Sequence, residues 1–168
     1  MKKSIYIIIA VLIFWAGFVS SISFMEAWLK FRADGVTLNI GLSIGKKIFT
    51  ALNRTEWAFF FIYALLGFYP FKIRFEARTI VSLLIFFILF TQTFYLLPQL
   101  NNRVVLLLEG KNIEKSFHHI YFGSLEILKV GFLIWLSFLW YKSARLPEVN
   151  TWHKIIVTEI SKYNRDQG

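Results

Sequence analysis

Polar positions interrupt the apolar stretches of this chain at only a few places, and those places set its organisation. From Ser4 to Trp28 the sequence is almost continuously apolar. That is long enough for a membrane-crossing helix, with Trp28 where an interfacial aromatic belongs. Lys30 to Asn39 is polar and carries a turn signal at Asp34-Gly35. Trp57 to Tyr69 is apolar but too short to cross about 30 Å at about 1.5 Å per residue. The second span must therefore begin further back, through Ile48, Phe49 and Leu52. This brings Asn53, Arg54 and Glu56 to membrane depth, with Lys46 and Lys47 snorkelling to the outer interface. Pro70 ends the helix, and a basic loop with Lys72, Arg74 and Arg78 leads into a third span from about Thr79 to Leu97.

In the second half of that span Gln92, Tyr95, Gln99 and Asn102 recur at helical spacing, which predicts a shared face. Pro98 removes a backbone donor and leaves the carbonyl of Phe94 short of its partner, predicting a kink. The helix can run on to Leu108 before Gly110 ends it. Ser116 is read as the N-cap of a fourth span to about Tyr141, with His119, Gly123, Glu126 and Lys129 on one stripe. After Arg145, apolar residues Trp152, Ile155, Ile156, Ile160 and Tyr163 alternate with basic ones at helical spacing. A short amphipathic helix is expected there, lying on the membrane or packed on a neighbour. The expected fold is all-α: a four-transmembrane-helix bundle over residues 1–142, then a cytoplasmic amphipathic tail over 143–168.

Composition agrees with lipid as solvent. The 168 residues are 57% hydrophobic and only 17% charged, where a soluble domain averages about 25% charged. The net charge of +9 raises nucleic acid as a partner, but the basic residues flank apolar spans instead of forming a soluble basic face. Membrane lipids are the expected partner, and nucleic acid is not. The absence of cysteine excludes disulfides, thiolate metal sites and iron–sulfur clusters. Met1-Lys2-Lys3, an apolar run and Val19-Ser20-Ser21 together resemble a cleavable secretory signal. The run is longer than a signal core, which favours an uncleaved first span. A small excess of Lys and Arg on the Met1 side puts both termini of a multi-pass chain in the cytoplasm.

With that topology, Glu26, Asn53, Glu56, Gln92, Gln99, Asn102, His119 and Glu126 fall in one half of the membrane or at its midplane, where Lys129 also lies. Charged groups in hydrocarbon are costly, so by default they mark a functional site. Lys129 is the sharpest case: an isolated ammonium at mid-span is disfavoured, and a carboxylate partner holds it ionised. Glu126, one turn away, and Glu56, on the second span, are its candidates. A buried Glu56–Lys129–Glu126 network would leave one unit of negative charge for a proton or small cation to balance. The alternative is that such a network only fixes helix register. His119, Glu126 and Glu56 have ligand chemistry suited to a divalent metal. Two adjacent histidines point about 100° apart on a helix, however, so His119 is read as a hydrogen-bonded residue at the span entrance and no metal site is expected. The only other histidine, His153, lies in the tail on the opposite side, which argues against bis-histidine haem within the chain. The sequence names neither a catalytic residue nor a cofactor. Ser20, Ser21 and Ser23 near Glu26 could suggest a nucleophile, but small pairs such as Ala16 with Ser20 and Gly17 with Ser21 read as helix-packing positions.

Three stretches carry a family resemblance: SISFMEAWLKFRADGVTLNIGLSIGKKIFTALNRTEW from Ser21 to Trp57, QTFYLLPQLNNRV, and SFHHIYFGSLEILK. Together they resemble uncharacterised small four-span bacterial inner-membrane proteins. More distantly, the layout is similar to the transmembrane-protein-205-like and anthrone-oxygenase-like families. The resemblance covers about residues 5 to 141 and implies a helical bundle with both termini cytoplasmic. It implies no activity. Three functional readings follow. A polar pocket near the outer side would handle a small solute or ion; four spans are few for that task, so a homo-oligomer is expected. A membrane-embedded enzyme or redox partner would act on a lipophilic substrate, with His119 exchanging a proton and Glu126 orienting it. A structural assembly protein would use its tail as the partner contact.

Overall fold

The computed structural model describes residues 2–68, 76–111 and 117–166. Among these, all regular structure is helical. The first helix runs through Lys2–Ser20, opens into a π-helical segment at Ser21–Glu26, and closes through Ala27–Leu29 and a 3-10 turn at Lys30–Arg32. Ala33 is extended, and Gly35 takes φ 79°, so the Asp34-Gly35 signal is a genuine turn needing a glycine-tolerant backbone. The second helix, Leu38–Phe68, starts as the Thr37 hydroxyl accepts from the Ile40 amide at 3.4 Å. The polar loop is therefore shorter than its composition suggests.

The third helix comprises Ala77–Thr91, a second π-helical segment at Gln92–Leu96, and Leu97–Leu108. It stops where Gly110 takes φ 74° and the Lys111 amide donates back to the Leu106 carbonyl, a Schellman closure. The fourth helix, His118–Asp166, is continuous for 49 residues. The tail is thus not a separate short helix, and the helix has no break at 142–143, where the sequence suggested a boundary. Pro147 costs one backbone hydrogen bond, and the turns on either side carry the helix past it. At about 1.5 Å per residue this helix is about 74 Å long, over twice the hydrocarbon thickness of a bilayer. Pro70, Lys72, Arg74 and Ser116 lie outside the described residues, as do the side chains of Trp152, Ile155 and Tyr163.

Among the described residues, three helices are long and apolar enough to cross a membrane: Ser4–Arg32, Ala77–Leu108 and Ile120–Ala144. The second helix has the length, but Lys46, Lys47, Arg54 and Glu56 dilute its apolar character. It packs on the first helix and on the third, while the first and third both pack on the fourth. Trp15, Leu12, Val19, Leu52, Ile85, Leu133 and Leu136 form the core between them, each at most 1% exposed. Large apolar side chains such as Phe14, Leu65, Phe87 and Ile127 point outward. An inward core with an outward apolar surface is what lipid as solvent permits. Ala16 is buried in this core, but a Cβ at Gly17 would meet nothing within 4 Å, so the Gly17–Ser21 pair does not serve close helix approach.

Candidate functional site

Each of the four helices contributes a polar side chain to one buried cluster. Lys129 Nζ lies 2.5 Å from Glu56 Oε1, 3.0 Å from Glu126 Oε1 and 2.8 Å from Gln92 Oε1. An ammonium has three protons, and here each has an acceptor. All four of these residues are 0% exposed. Gln92 Nε2 donates to Glu126 Oε1 at 2.8 Å, so the amide bridges ammonium and carboxylate. The first helix closes the cluster from the other side. Trp15 Nε1 donates to Glu56 Oε1 at 3.2 Å, and Ser23 Oγ donates to Glu126 Oε2 at 3.2 Å.

The local sequence explains the placement. On the fourth helix Phe122, Glu126, Lys129, Leu133 and Leu136 are buried at helical spacing, so the two charges sit on the same stripe as the core. Glu126 and Lys129 are three apart and meet on one face. Gln92 is the first residue of the π segment that precedes Pro98. Within that segment the Leu97 amide donates to the Gln92 carbonyl, five residues back. Widening the turn by one residue accommodates the proline's missing donor.

The same widening decides which expected residues join the site. An extra residue rotates everything downstream by about 100° relative to a regular helix. Gln92 is buried, but Tyr95, Gln99 and Asn102 are exposed. The four do not form one polar face, and Gln99 and Asn102 do not line the site. Asn53 is 3% exposed and sits one step away: the Thr93 hydroxyl is 3.1 Å from Asn53 Oδ1 and accepts from Trp57 Nε1 at 2.9 Å. Glu26 pairs with Lys30 on its own helix at 3.3 Å and does not enter the Lys129 cluster. The His119 side chain lies outside the described residues, so its role in proton exchange and in the metal reading stays an expectation from sequence. Among the described residues no group of three or more His, Asp or Glu is arranged to hold a metal ion.

Trp15 was missed in the sequence, and Ser23 was read there as a packing position and not as a partner of Glu126. The signal for Trp15 was its position: tryptophan in a span belongs at the interface, and one at mid-span needs a partner for its indole N–H. Trp57 follows the same logic through Thr93. Ser23 becomes a donor because the π segment at Ser21–Glu26 turns it inward, and no sequence signal marks that segment.

The electrostatics are unbalanced. Two carboxylates face one ammonium, and the Oε2 atom of Glu56 and Nδ2 of Asn53 are buried without hydrogen-bond partners. Burial without a partner is expensive for a polar atom and more so for an ionised one. A cavity of about 260 Å³ lies elsewhere, between the end of the first helix, the start of the second and the end of the third. Its lining includes Lys30, Lys46, Phe49, Leu97, Leu100 and Arg103.

Compared with protein-family models, curated proteins and solved structures, the chain matches none.

Proposed function

We propose that this is an integral membrane protein of four spans, with both termini cytoplasmic, that handles a proton-coupled small solute or ion. Its working group is the Glu56–Lys129–Glu126 network. One observation carries this reading: two carboxylates share a single ammonium at zero exposure, with Glu56 Oε2 left over. The excess negative charge calls for a counter-charge inside the bundle. A proton suits it better than a metal, since the nearest oxygens are already turned onto Lys129. A carboxylate pair of this kind takes up and releases one proton while the ammonium stays in place. Donors from four helices make that step sensitive to any relative movement of the helices.

The second helix is a span in this reading because Glu56 is neutralised by Lys129, which removes the largest penalty against its insertion. The likeness to small four-span inner-membrane proteins belongs to the same proposal, as does assembly into a homo-oligomer. Proteoliposomes loaded with a pH-sensitive dye and given a membrane potential test it. The wild-type chain is expected to pass protons, and Glu126→Gln and Glu56→Gln to abolish that flux. Flux equal in the wild type and both variants would remove the network from function and leave it a packing device.

A further inference from the structure

The cavity shares no side chain with the buried network, and its lining has a different character. Lys30 reaches it at the end of the first helix with a side chain only 9% exposed. Its ammonium lies 5.4 Å from the centre of the Phe31 ring and 5.3 Å from that of Phe49. Lys46 and Arg103 enter from the second and third helices. One carboxylate, Glu26, partly offsets Lys30 from the first helix. Apart from Asn101, the remaining wall is apolar, including Phe49, Leu97 and Leu100. Gly45 makes the arrangement possible: a Cβ there would lie 2.6 Å from Lys30 Nζ. A side chain on that glycine would push the ammonium away.

We propose that this cavity binds an anionic amphiphile, with its phosphate or carboxylate head held by Lys30, Lys46 and Arg103 and its acyl chain leaving along Leu97 and Leu100. Cations from three helices converge on a space with apolar walls, and that combination matches one charged end and one apolar end on the same ligand. The volume, equal to roughly nine waters at about 30 Å³ each, holds a headgroup and the first carbons of a chain. The rest of the chain then lies in the lipid against the exposed apolar side chains. Arg103 brings a guanidinium charge to the same lining, and Lys30 a point charge already held by Glu26 and two aromatic rings.

Native mass spectrometry of the full chain, stripped of lipid in detergent, tests this. Phosphatidylglycerol, phosphatidylcholine with the same chains, and oleate are titrated separately. One phosphatidylglycerol or one oleate per chain is expected, held at least about tenfold more tightly than phosphatidylcholine. Whichever of the two anions binds more tightly identifies the source as a phospholipid or a free fatty acid. Two variants are read alongside. Lys46→Gln with Arg103→Gln removes charge, and Gly45→Ala displaces the Lys30 ammonium while removing none. Each is expected to weaken the anion about tenfold and to leave proton flux unchanged. Phosphatidylcholine bound as tightly as both anions, or wild-type affinity in both variants, would overturn the assignment.

Discussion

Lys129 is where sequence and structure meet most closely. Its position near the middle of an apolar run demands a partner, and Glu56 and Glu126 are the carboxylates within reach of a helix pair or a helix turn. All three side chains converge, and Gln92 joins them. Charge arithmetic then orders the variants. Lys129→Met leaves two buried carboxylates facing each other without a cation, and a loss of about 3–5 kcal/mol is expected. Glu126→Gln leaves a one-to-one pair of Glu56 with Lys129, and its cost is expected to be the smaller of the two. Thermal unfolding in detergent, followed by circular dichroism, measures both. Lys129→Met unfolding no lower than Glu126→Gln would mean the ammonium is not the centre of the cluster. Trp15 and Ser23 were less legible. An indole in a span advertises an N–H in need of an acceptor, but the acceptor's identity depends on which helices touch, and that is a property of packing.

At the scale of the helix, the two π segments are what periodicity could not supply. A 3.6-residue count puts Gln92, Gln99 and Asn102 on one face, and it holds only while the turns are regular. Pro98 was visible and predicts a local disturbance; that the helix answers with a widened turn at Gln92–Leu96 was not visible, because a kink satisfies the same missing donor. The consequence is open to test. The chain has no cysteine, so single-cysteine spin labels report one site each. A label at position 92 is expected to be immobile and inaccessible to oxygen, while labels at 99 and 102 are mobile and accessible. Equal protection at all three positions would restore the regular-helix register. The fourth helix poses the opposite case: the span was expected to end at about Tyr141, yet the helix runs on through Arg145 and Pro147 to Asp166. Local signals for a stop were outweighed by helix-forming residues on either side, since one proline removes one bond.

For the whole molecule, the all-helical class and, among the described residues, three helices apolar enough to cross a membrane are plain from apolar length alone. The proposed second crossing depends on the buried network, because pairing with Lys129 removes the cost of carrying an ionised Glu56 into lipid. Topology and site are therefore one claim. Cysteines placed in the Asp34-Gly35 turn and at Gly110 are expected to react with a membrane-impermeant maleimide from the side opposite both termini. Labelling of the two turns from opposite faces would break the four-span arrangement. The central claim, that the Glu56–Lys129–Glu126 network carries a proton, is most directly read by infrared difference spectroscopy of the intact protein in lipid during a pH step. A protonated-carboxyl band that shifts in heavy water and vanishes in both Glu56→Gln and Glu126→Gln is the expected result. No such band in the wild type, or one that survives in both variants, would contradict it.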